Sequence, residues 1–429
     1  MGGDAYDEYH ALLARQDAMR LRQQLRSPAR QPSVASAGPR EAGRAYDGSA
    51  DRRTITRHLP LVTPFSDLIA HLYEAMFERH PYLRGLFPDS MEFQQAHLER
   101  AFWYLIEHLD RPDEVAAFCA RLGRDHRKLG VRPVHYEVFE AALAEALHRS
   151  AGERWTEELE RAWLRMLRFA VEAMVGAADE ALAEPPYWNG TVTDHQLRRP
   201  DLAVLRVRTA EPFPHRAGQY AHLQSPLLPH TWRPYSLACA PRPDGELEFH
   251  IRRTGPGGVS EALVAHTRVG DPLRLGPAQG SMTLDDRLTR DVLIVAGGTG
   301  WATAKALLDE LAVRRSHGRR THLFLGARTL QDLYDTAALA ELEKCLPWLR
   351  VVPVIGEGPG TAAEDGSVAD AVARHGDWSG HLAYVSGPPS MVTATVRRLT
   401  AMNLPADRIR HDPVGGTVPL PSHPAATDQ

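Results

Sequence analysis

The sequence feature that most restricts the fold is a short apolar run followed at once by a glycine-rich turn. Val292-Leu293-Ile294-Val295 contains no polar residue, as expected of a strand that is buried on both faces of a sheet. Gly297-Gly298-Thr299-Gly300 follows, and a helical pattern begins near Trp301. Glycines at such a turn let the backbone approach a diphosphate, which the helix N-terminus attracts. The turn predicts a nucleotide site, although a strand-to-helix turn can also be glycine-rich for steric reasons alone.

This turn departs from the GxGxxG fingerprint of the common dinucleotide-binding fold. Ala302-Thr303-Ala304 stands where the third glycine would come. The departure argues against an ordinary Rossmann dehydrogenase.

The alternation of apolar strands and helices repeats from residue 286 to residue 414. Further strands are expected near residues 321–325, 350–355 and 382–386, with helices between them. Strands that alternate with helices in this way form a parallel sheet. We therefore predict a doubly wound α/β domain over residues 286–414, and a frayed C-terminal tail over residues 415–429.

Residues 187–285 show a different period. Val192 to Leu197, Leu202 to Arg208 and Leu247 to Ile251 alternate apolar and polar residues, and turns rich in glycine, proline and aspartate separate such runs. Short strands at this spacing predict an antiparallel β-barrel. The Pro185-Pro186 pair marks its start.

Upstream of that proline pair the chain is helical. Apolar residues recur three and four positions apart in several stretches, among them residues 68–77 and 98–109. Pro64 marks one helix start, and Arg111-Pro112 follows another helix. No strand pattern interrupts these stretches, so residues 56–186 predict one all-α domain.

The first 55 residues form an N-terminal extension in two parts. Residues 6–25 place leucines among many charges and predict a short amphipathic helix. Residues 26–55 are rich in arginine, serine, proline, alanine and glycine, so they bury too little apolar surface to fold, and we predict that they are disordered. The extension either docks a protein partner or is a solvated tail, and its composition favours the tail.

Composition and charge argue against several classes of protein. The chain has 429 residues, a net charge of -4 and a pI near 6.6, so it carries no basic surplus for nucleic acid. Its three cysteines form no CxxC pair, which argues against a disulfide framework and a zinc knuckle and favours the cytoplasm. No apolar run reaches the roughly 18 residues of a membrane span, and the acidic N-terminus is unlike a signal peptide.

A candidate flavin site comes from the tetrapeptide Arg233-Pro234-Tyr235-Ser236. An arginine can neutralise a diphosphate, a tyrosine can stack on a flavin ring, and a serine hydroxyl can reach the ring nitrogen N5. Alone, the tetrapeptide could equally be the start of a strand. Its neighbours are Ala217-Gly218-Gln219-Tyr220 before it, Gly257-Gly258-Val259-Ser260 after it, and Ser386-Gly387-Pro388-Pro389-Ser390-Met391 beyond the glycine turn.

These signals, in this order, resemble the ferredoxin–NADP reductase family, in which a flavin barrel precedes a nicotinamide domain. The resemblance covers residues 190–414 and implies FAD and NAD(P)H as cofactors. By this resemblance the residues that contact FAD are Tyr220, Arg233, Pro234, Tyr235, Ser236, Gly257, Gly258, Val259 and Ser260. Those that contact the nicotinamide nucleotide are Gly297, Gly298, Thr299, Gly300, Ser386, Gly387 and Pro388.

Two positions depart from that family's pattern. Members often have cysteine where this chain has Ser386, and many end with an aromatic residue over the flavin where this chain offers Val414. Both departures stand where the nicotinamide meets the flavin, so hydride transfer is expected to be kept, while its rate and the nucleotide preference stay open. Arg328 follows the second strand of the nucleotide domain, and it could pair with a 2′-phosphate and favour NADPH or be a surface arginine.

The helical domain carries a candidate haem site at His126. A lone helical histidine is more often a core or surface residue than a ligand, and this chain has 21 histidines. The motifs on either side of His126 favour the ligand interpretation by their order along the chain. Upstream come Tyr73, Leu86-Phe87-Pro88 and Gln94 to Leu98, and downstream comes Pro133 to Tyr136. That order resembles the globin domain of the flavohaemoglobins, which fuse a globin to a ferredoxin–NADP-reductase-like module. This resemblance covers residues 60–414.

On the distal side, the resemblance implies that Tyr73 hydrogen-bonds dioxygen through its hydroxyl, with Gln94 as the distal glutamine and Leu98 as the apolar wall beside it. His97, one helical turn from Gln94, is the alternative distal ligand. His126 is the proximal ligand of the haem iron.

Around the haem, the resemblance implies that Phe87 packs on the porphyrin face and that Tyr136 supports the proximal histidine. His135, at a helix start beside Tyr136, is expected on the surface. Family members also have a late-helix glutamate that polarises the proximal histidine, and this chain has Ala178 in its place, with Asp179 and Glu180 on another face. We therefore expect weaker polarisation of the ligand.

By resemblance, the chain is a flavohaemoglobin-like oxidoreductase. It would pass electrons from NAD(P)H through FAD to a globin haem, of the haem b type, that binds O2 and oxidises nitric oxide to nitrate, which is nitric oxide dioxygenase activity. Two alternatives stay open. One is a haem-based sensor of oxygen, nitric oxide or redox state with weak reductase activity, and the other is a flavin reductase that serves a separate electron acceptor.

Overall fold

The computed structural model describes residues 46–314, 319–356, 364–365 and 367–412. These residues form two compact units, 46–120 with 132–175 and 121–131 with 176–412. The helix predicted over residues 6–25, the partner proposed for the N-terminal extension, Val414 and the tail from residue 415 lie outside the described residues.

The first unit is helical, as predicted. Its helices are α1 (Ser49–His58), α2 (Phe65–Arg79), α3 (Glu92–His108), α4 (Pro112–His126), α5 (Pro133–Ala151) and α6 (Glu157–Glu180), of which α4 and α6 end in the second unit. Both α4 and α5 begin at a proline, where the missing N–H has no helical partner to lose. The predicted apolar stripes are buried, with Leu68 and Leu72 fully inaccessible and Phe102 and Ile106 only 2% exposed.

Helix α1 corrects the disorder predicted for residues 26–55, because residues 49–55 are helical and packed. Ile55 is fully buried, and the Asp51 carboxylate accepts hydrogen bonds from Arg165 at 2.5 and 3.0 Å. Tyr46 stacks on Phe169 with ring centroids 4.5 Å apart. Composition hid this helix because its stability comes from partners more than 100 residues away rather than from its own few apolar residues.

The second unit contains the predicted antiparallel barrel. Its strands are β1 (Trp188–Arg199), β2 (Leu202–Thr209), β3 (Tyr220–Gln224), β4 (Arg233–Ser236), β5 (Glu246–Arg252) and β6 (Pro272–Leu275). They hydrogen-bond in the order β4-β3-β6-β1-β2-β5, and a bridge between Leu237 and Phe249 joins the two outer strands. The bridge closes the sheet around an apolar core that includes Val192, Leu205 and Phe249.

The predicted parallel sheet follows in the same unit. Its strands are β7 (Asp291–Gly297), β8 (Thr321–Ala327), β9 (Leu349–Ile355), β10 (Glu364–Asp365), β11 (His381–Ser386) and β12 (Ile409–Arg410). Its helices are α7 (Trp301–Val313), α8 (Thr336–Cys345), α9 (Val368–Arg374) and α10 (Pro389–Ala401). The strands lie in the order β10-β9-β8-β7-β11-β12, and neighbours run parallel.

Both faces of this sheet are covered, which explains why the strand at residues 292–295 contains no polar residue. Ile294 packs with Leu307 and Leu308 of α7 on one face. Val295 packs on the other face with Val372 of α9. Each such side chain stabilises the fold by roughly 1.5–3 kcal/mol when it leaves water. Among the described residues, no helix is both long enough and apolar enough to span a bilayer.

Candidate functional site

The predicted nucleotide residues meet at the carboxyl ends of two adjacent strands. The strand order reverses between β7 and β11, and open α/β sheets bind ligands in the crevice at such a point. Gly297 to Gly300 follow β7, and Ser386 to Pro388 follow β11. The two turns touch, because the Ser386 hydroxyl donates a hydrogen bond to the Gly300 carbonyl at 2.9 Å.

The glycines of the first turn serve different purposes. A Cβ on Gly297 would lie 2.4 Å from the Met391 sulfur, and one on Gly300 would lie 2.3 Å from the Ser386 carbonyl oxygen. These two glycines let the turns pack together. Gly298 instead has a φ of +55° and open space where a Cβ would be, so its backbone can approach a diphosphate.

A pocket beside Gly298 lies at the ends of β7 and β8. Its lining includes Trp301, Asp332, Tyr334 and Asp335, and the Trp301 indole donates to Asp335 at 2.9 Å. Sequence reasoning missed the two acids and the tyrosine. The signal that could have found them is an acidic and aromatic cluster, residues 332–335, shortly after a predicted strand.

Arg328 stands at the rim of this region. Its side chain is 73% exposed, and its Nε lies 4.0 Å from the Asp332 carboxylate. Although burial raises the pKa of Asp332, hydrogen bonds from Arg199 and Thr329 hold it below its usual range. Asp332 is therefore a paired carboxylate rather than a free one.

The flavin candidates come together because β3 pairs with β4. Tyr220 lies opposite Ser236 in the register, and Ala221 lies opposite Tyr235. Burial raises the pKa of Tyr235, so its hydroxyl stays protonated and can donate a hydrogen bond. Arg233 is half-buried at the start of β4, and its guanidinium also donates to the Trp232 carbonyl at 2.9 Å.

The second flavin motif contributes its backbone rather than its side chains. Val259 is 2% exposed inside the barrel core, and the Ser260 hydroxyl oxygen accepts the Thr254 N–H at 3.1 Å. Gly257 and Gly258 face open space where a Cβ would be. A helical turn begins at Val259, and the first N–H groups of a helix have no carbonyl of their own helix to bond. This arrangement fits a phosphate.

His126, the predicted haem ligand, has its ring fixed by a hydrogen bond at one nitrogen. It ends α4 within the second unit, and its Nδ1 lies 2.7 Å from the Leu122 carbonyl oxygen. Because a carbonyl can only accept, Nδ1 carries the hydrogen and Nε2 keeps the lone pair that an iron ion requires. Burial lowers the pKa of His126, which favours the neutral ring that ligation needs.

The predicted distal residues lie in the first unit. The Tyr73 ring centroid is 5.8 Å from that of Phe77 and 5.6 Å from that of Phe87, so the three rings form one cluster. Tyr73 is 8% exposed, and burial raises the pKa of its hydroxyl. Gln94 Oε1 is buried and has no hydrogen-bond partner among the described residues, and Leu98 is partly buried one turn further along α3. An orphaned buried amide oxygen fits a ligand-binding position.

Three further positions near the predicted haem site are His135, Tyr136 and Ala178. His135, expected on the surface, is only 8% exposed and caps α5 by accepting the Arg132 N–H at 3.1 Å. Burial raises the pKa of Tyr136 to about 12. Near the end of α6, where Ala178 replaces the expected glutamate, Glu180 pairs with Arg124 at 3.4 Å.

A charged cluster that sequence reasoning missed joins the flavin barrel to the nucleotide domain. Glu248 of β5 accepts from His250 Nε2 and from the Lys305 ammonium, each at 3.1 Å. His250 Nδ1 in turn lies 2.8 Å from the hydroxyl of Tyr334, which lines the nucleotide pocket. Although burial raises the pKa of Glu248, these cationic and hydrogen-bonding partners lower it to about 2.

Comparison with known protein families divides the chain as its fold does. The Globin family matches residues 70–174, the oxidoreductase FAD-binding domain matches residues 189–283, and the oxidoreductase NAD-binding domain matches residues 294–397. The first implies haem, and the other two imply FAD and NAD(P)H, the cofactors of an NAD(P)H-dependent FAD oxidoreductase.

Curated relatives match the reductase half. The ferredoxin–NAD(P)+ reductase component of the naphthalene 1,2-dioxygenase system of Pseudomonas putida is 36% identical over 223 residues, which are 51% of this chain and 67% of that protein. Reductase component 1 of terephthalate 1,2-dioxygenase from a Comamonas species is 33% identical over 238 residues, 54% of this chain and 69% of that protein. The chain thus spans about two thirds of the length of these relatives.

A solved structure matches most of the chain. The flavohaemoglobin of Malassezia yamatoensis, determined with bound FAD and haem, superposes with a TM-score of 0.69 at 17% identity and covers 86% of this chain and 99% of that one. This likeness shows the fold. The protein belongs to the FAD- and NAD-binding oxidoreductase family through residues 189–397, and with its globin it is a flavohaemoglobin-type fusion.

Proposed function

We propose that this protein is a nitric oxide dioxygenase that draws its electrons from NAD(P)H. The observation that carries the proposal is the preparation of His126, whose Nδ1 hydrogen bond to Leu122 leaves Nε2 free to bind haem iron in a chain that also holds a flavin barrel and a nucleotide crevice. We keep the cytoplasm as the proposed compartment, because Cys119, Cys239 and Cys345 are all free thiols.

When bound, the nicotinamide, FAD and haem supply the electron transfer that the reaction requires. In the overall balance, one NAD(P)H, two nitric oxide and two dioxygen molecules give one NAD(P)+, two nitrate ions and one proton. The protein contributes binding, orientation and electrostatics around these groups.

On the oxygen-binding side, Tyr73 acts as a hydrogen-bond donor. Since burial raises the pKa of its hydroxyl, the group remains protonated across the physiological range and cannot become a competing anion. A fixed donor stabilises partial negative charge that develops on oxygen. The side-chain oxygen of Gln94, which is buried and has no hydrogen-bond partner among the described residues, marks a second polar group for this role.

On the nucleotide side, we propose that NADH is preferred to NADPH. Asp335 lines the pocket, where its carboxylate meets the Trp301 indole and no cation pairs with it among the described residues. A carboxylate there can accept the ribose 2′-hydroxyl of NADH and repels the 2′-phosphate of NADPH. Arg328, which could have favoured NADPH, is largely exposed and turned toward Asp332.

Nitrate formation by the purified holoprotein tests the main proposal. With NADH, oxygen and nitric oxide, we expect nitrate and oxygen-dependent loss of nitric oxide, and the His126→Ala variant should lose both together with the Soret band. Holoprotein that consumes no nitric oxide in the presence of oxygen would rule out the proposal.

For the nucleotide preference, Asp335→Asn should raise kcat/KM for NADPH, whereas Arg328→Ala should leave kcat/KM for NADPH nearly unchanged.

A second candidate is a reductase for a separate electron acceptor. It is favoured by the two relatives named above, which are reductase components of dioxygenase systems and match 51% and 54% of this chain. The same His126→Ala variant separates the two functions, because it should still reduce an external acceptor such as cytochrome c. If wild-type protein reduces such acceptors rapidly and forms no nitrate, the second candidate is correct.

A further inference from the structure

The segment that carries His126 is tied to the flavin barrel by a chain of side-chain hydrogen bonds. Asp125, the residue before His126, accepts a hydrogen bond from Gln279 Nε2 at 2.5 Å. Gln279 Oε1 in turn accepts the Tyr220 hydroxyl at 3.3 Å. The backbones of Gln279 and Tyr220 also exchange hydrogen bonds at 2.8 and 2.9 Å, so the amide is held in place. The chain therefore runs from the iron-binding end of α4 to a residue of the candidate flavin site.

Lys128 gives the same segment a second anchor. Its ammonium lies 3.1 Å from Asp125 Oδ1 and 5.7 Å from the centre of the Trp232 ring, a distance at which a cation attracts an aromatic face. Its stem lies over Gly276, where an added Cβ would approach Lys128 Cδ to 3.3 Å. The side chain is only 5% exposed, so the barrel surface is shaped to receive it.

These contacts specify a position more than they add stability. Burying an ammonium and a carboxylate costs desolvation energy that their attraction only partly offsets, so such pairs contribute mainly by fixing one arrangement. Here the arrangement requires the Asp125 carboxylate to meet two donors at once, Lys128 and Gln279. Sliding the segment along the barrel would break the bond from Gln279 and move Lys128 away from the Trp232 ring.

We propose that Gln279 is a positioning residue for electron transfer from FAD to the haem, because it couples Asp125, beside the iron-binding histidine, to Tyr220 of the flavin site. The inference rests on the electron path of the proposed function and is independent of nitric oxide as the substrate. A misplacement of about 1 Å at a reacting geometry can cost on the order of 100-fold in rate. Loss of the Gln279 amide should therefore slow the haem step and spare the flavin step.

The test uses full-length holoprotein, mixed with NADH in an anaerobic stopped-flow instrument that records flavin and haem absorbance separately. In Gln279→Leu we expect flavin reduction within about 2-fold of wild type and haem reduction at least about 10-fold slower. Gln196→Leu is the matched control, since Gln196 also donates its amide to an aspartate of the barrel, Asp194, at 2.6 Å, but does not reach residues 121–131. Both of its rates should match wild type.

Hydrogen exchange supplies a readout that does not depend on turnover. Peptides that cover residues 121–131 should take up deuterium faster in Gln279→Leu than in wild type or Gln196→Leu, because the segment has lost an anchor. Equal uptake in all three proteins would contradict the positioning role.

If Gln279→Leu does not fold, a second test exchanges the carboxylate of Asp125 and the amide of Gln279 between the two positions. Gln279→Glu places a second carboxylate 2.5 Å from Asp125, so haem reduction should be slow. In the double variant with Asp125→Asn, the new amide at position 125 can donate to the new carboxylate at position 279, so the hydrogen bond is restored in the reverse direction. The rate of haem reduction should then return to within about 3-fold of wild type. No recovery in the double variant, or wild-type haem reduction in Gln279→Leu, would overturn the inference.

The two proposals fail in different ways. Normal haem reduction without nitrate formation would reject the dioxygenase function alone. Normal nitrate formation with unchanged haem reduction in Gln279→Leu would reject the role of Gln279 alone.

Discussion

A buried lysine lies beside a carboxylate at two contacts of the flavin barrel, one with the nucleotide domain and one with residues 121–131. On the nucleotide side, Lys305 of α7 lies 3.1 Å from Glu248 of the barrel, and its side chain is 15% exposed. At residues 121–131, Lys128 lies 3.1 Å from Asp125 of the same segment and is 5% exposed, and Gln279 of the barrel donates to the same carboxylate. The two carboxylates differ in the number of their partners.

Glu248 has many partners and Asp125 has few. Arg206 and Arg242 also approach the Glu248 carboxylate, at 3.4 and 3.7 Å, and His250 bonds it at 3.1 Å. Asp125 is 31% exposed, and the contacts described above come from Lys128 and Gln279. The contact with the nucleotide domain thus has redundant partners, whereas the contacts described here between residues 121–131 and the barrel come from one amide and one ammonium. A single substitution should disturb the second contact selectively.

Removing the charge of each carboxylate in turn should give the largest difference. Glu248→Gln leaves Lys305, Arg206 and Arg242 around an uncharged group, and we expect the free energy of unfolding to fall by about 3 kcal/mol. Asp125→Asn should cost about 1 kcal/mol, since that site is partly exposed and Gln279 can still donate to the amide oxygen. Urea denaturation followed by flavin fluorescence measures both. Equal losses would show that the two contacts are equivalent.

The order and type of the secondary-structure elements could be predicted from the sequence because they depend on local periodicity. The apolar strand at residues 292–295 and the alternating run at residues 192–197 each carry their own signal, and the structure confirms both. The family resemblance assigns the turns at Gly297 and Ser386 to the same nucleotide, and the structure places them at the carboxyl ends of two adjacent parallel strands. The two strand predictions need only neighbouring residues, whereas the pairing of the two turns needs the resemblance.

The polar contacts between domains could not be predicted, because they join residues far apart in the chain. Asp125 and Gln279 are separated by 154 positions, and no local pattern marks either residue as a partner of the other. Helix α1 was missed for the same reason, since Asp51 meets Arg165 across 114 positions.

One compositional signal was nevertheless available. Among the 50 lysines and arginines, only Lys128, Lys305 and Lys344 are lysines. Two of these three are the buried cations of the two contacts. The ammonium of lysine is a compact point charge on a flexible stem, whereas the planar guanidinium group of arginine is the more usual cation of buried ion pairs. In a chain that otherwise uses arginine, the rare lysines could have been examined first.

The second largest difference between the two contacts should appear on acidification, which should weaken the contact of residues 121–131 and spare the nucleotide contact. Burial, together with the charge of Lys128, lowers the pKa of His222 to about 4, while Asp125 raises it and Arg233 lowers it further. The unfolded chain takes up this proton near pH 6.5 and the folded chain only near pH 4, so stability should fall as the pH drops between these values. The loss should be about 2 kcal/mol after allowance for solvent screening. It should disappear in His222→Leu.

The nucleotide contact should resist this change in pH. The pKa of Glu248 is lowered from 4.5 to about 2, so its stabilisation is complete above pH 4.5 and is lost only below that value. Hydrogen exchange at pH 5 compares the contacts directly. Residues 121–131 should be less protected than at pH 7, and residues 246–252 should be unchanged. Equal loss of protection in the two segments would contradict the assignment of the titration to His222.

The smallest expected effect comes from Tyr334→Phe, which should affect the nucleotide step and spare the haem step, the reverse of the Gln279 substitution. Tyr334→Phe removes only the hydroxyl that lies 2.8 Å from His250 Nδ1, at the edge of the nucleotide pocket. One neutral hydrogen bond contributes about 1 kcal/mol, so KM for NADH in flavin reduction should rise about 3- to 5-fold while haem reduction keeps its rate. Tyr384→Phe is the control, because it removes a hydroxyl of the same domain that bonds the Thr283 carbonyl at 3.2 Å outside the pocket lining. If Tyr334→Phe slowed haem reduction instead, the two contacts would not act independently, since a change at the nucleotide pocket would then reach the segment that holds His126.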